Sequence, residues 1–257
     1  MLMSIFWLQQ TMADVPTDNA WLCAQEALRL SGMKLAKRRN DWRLGRWTAK
    51  RAIAAYLGWR VEGSLLDDIE IRPATSGAPE AFIADRRAAL GVSLSHCGGR
   101  AIAAVAPSGM ALGCDLERVE PRIDAFLADY FTPEEQLLVQ QASACDRPAL
   151  VTLLWSAKES ALKALRQGLR LDTRSIRVNI GDGRGISGNV AEAWQMASQG
   201  IQHTLGGPGQ VGWGALQVSC SNGGPTFYGW WRANNDLVRT VVAGAPLPPP
   251  VLLNPQL

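Results

Sequence analysis

The chain has 257 residues, 47% of them hydrophobic and 19% charged, with a formal net charge of +3 and an isoelectric point near 8.7. That composition excludes a disordered or collagen-like chain. It supplies enough apolar material for a sizeable core, as one domain or two closely joined halves. Three surplus positive charges do not by themselves ask for nucleic acid, so where the bases sit matters more than their sum.

Ser4–Gln9 reads as a short strand, preceded by no basic leader. Helical patterning follows from Asn19 to Leu57, and Pro73, Gly77 and Pro79 mark loops. Leu90–Ser95 and Ala101–Ala106 read as strands. Pro107-Ser-Gly is then a turn, and Met110–Glu117 the returning strand of a hairpin. At Phe131-Thr-Pro-Glu-Glu, Thr132 is a candidate N-cap, Pro133 opens the helix and Glu135 completes a capping box. A long helix is predicted from near Pro148 to Gln167, stopped by Gly168. Ser175–Ile180, Gly212–Ser219 and Thr226–Arg232 read as strands. The Pro-rich Ala245–Asn254 is expected not to pack as regular structure. Five scattered cysteines (Cys23, Cys97, Cys114, Cys145, Cys220) form no CxxC pair, which argues against a disulfide framework or zinc site. No apolar stretch approaches the roughly 20 residues of a membrane helix, so the expectation is a soluble, cytoplasmic protein.

On a helical wheel Leu150, Leu153, Leu154, Ala157, Ala161 and Leu165 form one apolar stripe, with Glu159 opposite and Lys163 one turn on. Taken alone, Glu159 and Lys163 read as an ordinary surface ion pair. In Leu112-Gly-Cys-Asp-Leu-Glu117, alternation puts Asp115 and Glu117 on one strand face beside the small Gly113. Both could point into water at a strand end. They could equally form a hard-cation site, since magnesium takes one or two carboxylates plus water and phosphate oxygens. Glu159 would then be a third ligand or a base. Ser93-Leu-Ser-His-Cys-Gly-Gly99 ends a strand with hydroxyls, an imidazole and two glycines, which suits either an anionic group or a plain polar turn. Lys34–Arg51 holds eight bases against one acid, Asp41, and Arg39, Arg43, Arg46 and Lys50 share a narrow helical arc. Nucleic acid, a nucleotide with several phosphates, or water could each meet such a face.

Ser95-His96, then Gly113-Cys-Asp115-Leu-Glu117, then Trp155-Ser-Ala-Lys158-Glu159-Ser-Ala-Leu-Lys163 together resemble the Sfp-type 4′-phosphopantetheinyl transferases. Their signature is G-x-D and, further on, W-x-x-K-E-x-x-x-K, and the interval from Asp115 to Glu159 fits. The RRNDWRLGRW segment and Gly168-Leu-Arg-Leu171 fit as well, so the resemblance spans Lys34–Leu171.

It implies transfer of the phosphopantetheine arm of coenzyme A to a serine of an apo acyl or peptidyl carrier protein, with release of 3′,5′-ADP. Asp115, Glu117 and Glu159 would hold Mg²⁺ (or Mn²⁺), and Glu159 would take the serine proton. Lys158 and Lys163 would neutralise the pyrophosphate, with Ser95 and His96 beside it. Arg46, with Lys34 or Lys37, would meet the 3′-phosphate or its neighbours.

The implied fold is α+β, two similar α/β lobes in pseudo-twofold relation. Residues 1–112 form one lobe, 113–244 the lobe with the metal site, and 245–257 the tail. Coenzyme A would lie between the lobes of a monomer, and Tyr130–Gln141 would dock the carrier. The family commonly has Gly-Lys-Pro where this chain has Gly77-Ala78-Pro79, which puts donor affinity in question. Two competing readings are a nucleic-acid-binding module built on Lys34–Arg51 and a metal-dependent phosphohydrolase.

Overall fold

The computed structural model describes residues 3–59, 66–181, 212–221, 223–234 and 236–254. In chain order they form β1 (Phe6–Thr11), α1 (Ala24–Ser31), α2 (Ala36–Tyr56), β2 (Ile69–Pro73), β3 (Pro79–Ile83), β4 (Arg86–Arg87), β5 (Leu90–Cys97), β6 (Arg100–Pro107) and β7 (Leu112–Arg118). Then follow α3 (Asp124–Tyr130), α4 (Pro133–Gln141), α5 (Arg147–Ala164), β8 (Ile176–Ile180), β9 (Gly214–Cys220), β10 (Thr226–Ala233), β11 (Leu237–Ala243) and β12 (Val251–Leu252). The strands make one sheet of order β12-β1-β6-β5, a second of order β7-β11-β10-β9-β8, and a small third, β2-β3-β4. Helices on largely antiparallel sheets make the fold α+β, as expected.

Strand alternation builds the layers. On β6, Ala101, Ala103 and Val105 join the core under α2, while Ile102, Ala104 and Ala106 face the other way. On β7 and β11, Leu112, Cys114, Leu116, Leu237, Val241 and Ala243 face back toward them. Val238 and Val242 point instead to the core under α5. The result is two sheets back to back, one covered by α2 and the other by α5. Each buried Leu or Val in these cores is worth about 1.5–3 kcal/mol.

β7 is not the returning strand of a hairpin. Both edges of β6 are taken, by β1 and β5, so β7 crosses to the second sheet and pairs with β11. Two serines stitch the seam where β5 meets β7. Ser93 Oγ accepts the Cys114 N–H at 3.0 Å, and Ser95 Oγ donates to Asp115 Oδ1 at 2.8 Å. Gly98 and Gly99, both at positive φ, form the two-residue turn that folds β6 back on β5. Their glycine character answers to the hairpin, since a Cβ built on either would meet no other group within 4 Å.

The Pro-rich tail also departs from expectation. After the proline run, Val251 and Leu252 pair in parallel with β1, whose outer edge has no other partner among the described residues. Val251 N–H donates to Ile5 O and Leu253 N–H to Trp7 O. Residues 255–257 of that tail lie outside the described residues.

The capping box at the start of α4 forms as read, with Thr132 and Glu135 exchanging hydrogen bonds. The stop of α5 does not. The chain turns left-handed at Arg166 (φ 57°), two residues before Gly168, which itself opens a short 3-10 turn. A non-glycine residue there costs about 1 kcal/mol.

Candidate active site

Gly113 sets the geometry. A Cβ built on it would stand 1.8 Å from the Ser160 carbonyl oxygen, so α5 lies directly on β7 and only glycine fits between them. Ser156 and Ser160 of α5 add hydrogen bonds to Thr240 of β11, which fix the helix on the sheet. With the helix this close, Lys163 Nζ reaches Asp115 Oδ1 at 2.7 Å and the Cys114 carbonyl at 3.1 Å. The bland Glu159–Lys163 surface pair is thus replaced by a bridge from helix to strand. Trp155 Nε1 donates to Glu117 Oε1 at 3.3 Å, and Arg122 stands 3.7 Å from Glu117 Oε2. Three elements distant in sequence, β5, β7 and α5, therefore converge at Asp115.

The electrostatics follow. Burial first, and Asp115 second, push the Glu117 carboxyl up to about 7. The same two causes raise Glu159. Asp115 itself is buried, with Oδ1 bonded and Oδ2 lacking a partner among the described residues. Carboxylates that hinder one another's ionisation and an orphaned oxygen are what a hard divalent cation would relieve. Yet among the described residues no three His, Cys, Asp or Glu side chains stand close enough to hold an ion together. Lys163 occupies Asp115 where a third acid would be needed. The fit is therefore to Asp115 and Glu117 on one strand face, with water and phosphate oxygens completing the shell.

Beside this cluster lies a cavity of about 390 Å³. Among the described residues its wall carries Arg29, Arg46, Lys163 and Arg166, and no carboxylate. Gly77-Ala78-Pro79 and the backbone of Gly91–Leu94 close other sides. Arg46 is half-committed, with Nε 3.8 Å from Glu26 and its guanidinium over Trp42, and burial lowers its pKa.

The expected residues divide. Asp115, Glu117, Lys163 and Ser95 come together, and Arg46 and Lys163 reach the cavity. Glu159, expected as a third metal ligand, does not complete a three-carboxylate set among the described residues, though Asp115 and Lys163 act on its ionisation. His96 is exposed at the end of β5, against α2 near Gly45, and does not line the cavity. Lys34 and Lys37 lie exposed at the start of α2, also outside its lining.

Lys158 does not face the cleft at all. It is fully buried on the other side of α5, 2.8 Å from Glu135 and bonded to the Thr173 and Ile176 carbonyls. Burial lowers its pKa, against the pull of Glu135. The basic arc of α2 is likewise not a free face. Lys50 is fully buried on Glu26 and the Trp21 and Leu66 carbonyls, and Arg43 bonds the Pro16 and Asp18 carbonyls. That takes Arg43 and Lys50 out of the basic face on which a nucleic-acid reading stood, while Lys34, Lys37, Arg38 and Arg39 stay exposed. Arg29 and Arg166 escaped sequence reading. Arg29 carries no motif, and the only signal at Arg166 was a helix end lacking glycine where one is usual.

Residues 111–208 match the model of the 4′-phosphopantetheinyl transferase superfamily. The match starts at the doorstep of β7 and takes in all of α5, so it covers the strand and helix that carry Asp115, Glu117, Glu159 and Lys163. It supports a transferase without choosing among the superfamily's types. A search of curated proteins finds no match. Among the described residues no helix is long and apolar enough to cross a membrane.

Proposed function

We propose that the protein is a Sfp-type transferase. It moves the 4′-phosphopantetheine of coenzyme A to a serine hydroxyl of an apo acyl or peptidyl carrier protein. The observation that carries this reading is the join between the Asp115–Glu117–Lys163 cluster and a cavity lined, among the described residues, by four cations and no acid. Such a cavity suits a polyanionic nucleotide, and the acidic cluster at its edge suits the cation that accompanies a diphosphate. Two helix-covered sheets packed back to back agree with the pseudo-twofold lobes this reading expects.

The reaction needs positioning, charge neutralisation and a base near the nucleophile. Asp115 and Glu117 would hold Mg²⁺, which when bound neutralises the diphosphate oxygens. Trp155 fixes Glu117 through its indole N–H, and Ser95 fixes Asp115. Lys163, already poised on Asp115, offers its ammonium to the phosphate oxygens from the cavity side. Glu159 is the base: burial and Asp115 raise its proton affinity, which suits it to accept the serine proton. The serine oxygen forms a bond to phosphorus, the bond from that phosphorus to the bridging oxygen breaks, and 3′,5′-ADP leaves with the electron pair. His96, Lys34 and Lys37, at the periphery, serve substrate approach rather than the reacting atoms.

The test is incubation with coenzyme A, Mg²⁺ and a panel of apo carrier proteins, read by mass spectrometry. The expected result is a gain of one phosphopantetheine on at least one carrier. Glu159→Gln should lower the rate by about 10²–10⁴-fold with an unchanged melting temperature, the usual worth of a general base. Hydrolysis of coenzyme A without any carrier, or full activity in Glu159→Gln, would overturn the assignment.

A further inference from the structure

The end of α5 places an arginine where backbone geometry asks for glycine. The left-handed turn at Arg166 is closed by two hydrogen bonds, Arg166 N–H to Lys163 O at 3.0 Å and Gln167 N–H to Leu162 O at 3.2 Å. A side chain there strains the chain for no gain within the helix. The gain lies outside it, because Arg166 lines the cavity.

Three of the four lining cations meet a carboxylate, while Arg29, exposed on α1, meets none among the described residues. Lys163 is engaged by Asp115, and Arg46 leans on Glu26. Arg166 meets Glu80 of β3 at 3.1 Å, but Glu80 has a second partner, Arg87, at 2.5 Å. Arg166 can therefore swing to an anion without leaving a carboxylate unpaired. The facing Gly77-Ala78-Pro79 loop brings no charge of its own.

We infer that Arg166 is a donor-specificity residue that binds the phosphate monoester of the donor nucleotide, apart from the diphosphate held near Asp115 and Lys163. This rests on the transfer reading. Coenzyme A carries a diphosphate and, on its ribose, a phosphate monoester. The carboxylate cluster with its cation claims the first. The second is a dianion whose oxygens match a guanidinium fork.

Isothermal titration with coenzyme A and with 3′-dephospho-coenzyme A, each with Mg²⁺, tests it on the wild type, Arg166→Gly and Arg166→Lys. Wild type should bind coenzyme A at least tenfold more tightly than the dephospho form. Arg166→Gly should lose that preference while keeping its affinity for the dephospho form, with a melting temperature at or above wild type. Arg166→Lys should retain part of the preference. An unchanged preference in Arg166→Gly overturns the inference, and so does an equal loss of both ligands with a lowered melting temperature. A wild type that binds neither ligand brings down the transfer reading itself, which is a different result.

Discussion

Two buried lysines, one in each half of the chain, sit in matching surroundings. Lys50 of α2 bonds the Trp21 and Leu66 carbonyls, lies over the Trp21 ring and pairs with Glu26 of α1. Lys158 of α5 bonds the Thr173 and Ile176 carbonyls, lies over the Phe131 ring and pairs with Glu135 of α4. Each glutamate also accepts a strand N–H at 3.1 Å, from Ile71 of β2 or Val178 of β8. The next residue along separates the halves. After Lys50 comes Arg51; after Lys158 comes Glu159, facing a strand that carries Asp115 and Glu117. The buried lysine is therefore scaffold in both halves, and the acidic chemistry is an addition to one of them. The other half contributes positive charge, through Arg29 and Arg46.

The largest effect should come from breaking either cage. Lys158→Met leaves Glu135 buried without its cation, at a cost of about 3–5 kcal/mol. Lys50→Met should cost a similar amount through Glu26. Replacing both partners, as in Lys158→Met with Glu135→Leu, should recover only part of the loss, because the Thr132 and Val178 N–H groups and the Thr173 and Ile176 carbonyls also lose their partners. Urea denaturation of the singles and doubles checks this. If Lys158→Met proved harmless to stability while Lys50→Met did not, the two cages would not be equivalent, and Lys158 would regain a claim to the active site.

Next in size is Gly113→Ala. The added methyl meets the Ser160 carbonyl and forces α5 away from β7, for about 1–3 kcal/mol or more. Because Lys163 and Glu159 ride on α5, transfer should fall far more than stability does. Parallel melting and transfer assays on one preparation separate the two effects.

These cages also show how much was legible in the sequence. Alternation on β7 and the stripe on α5 put Asp115, Glu117, Glu159 and Lys163 on the correct faces, and the capping box at Thr132 marked a real helix start. A wheel gives directions but not neighbours. Lys158 and Glu159 follow one another in sequence but stand about 100° apart on it, and only the packing of α4, β8 and β7 tells what each direction meets. Lys50 looked unopposed because its acid, Glu26, sits on another helix. The crossing of β7 followed from which edges of β6 were already filled, which no local pattern records. The Pro-rich tail regained a strand only because β1 had an open edge.

The third test uses pH. Among the described residues, the carboxylates held above their ordinary range are Glu117 and Glu159, both in the acidic half. Glu117 keeps its proton to about pH 7 instead of 4.5. Between those values the folded chain binds more protons than the unfolded one, so this group makes the metal-free protein lose stability as pH rises. A divalent cation must displace the same proton. Its affinity should therefore climb by up to about tenfold per pH unit below pH 7 and level off above. Mn²⁺ titration followed by the fluorescence of Trp155, which is bonded to Glu117, reads this directly. Glu117→Gln should flatten the slope.

The smallest effect is expected at Gly45 of α2, which faces β5 much as α5 faces β7. A Cβ built there finds Leu94 at 3.7 Å and His96 at 4.0 Å, ordinary contact distances. The glycine is thus not required by space, and it lies inside a helix, where alanine is favoured by up to about 1 kcal/mol. Gly45→Ala should leave stability unchanged or raise it by that amount, with transfer intact. A marked loss would mean that the α2–β5 approach tightens when ligand binds, and that the half lacking the Asp115–Glu117 pair is held to its sheet as closely as the half that has it.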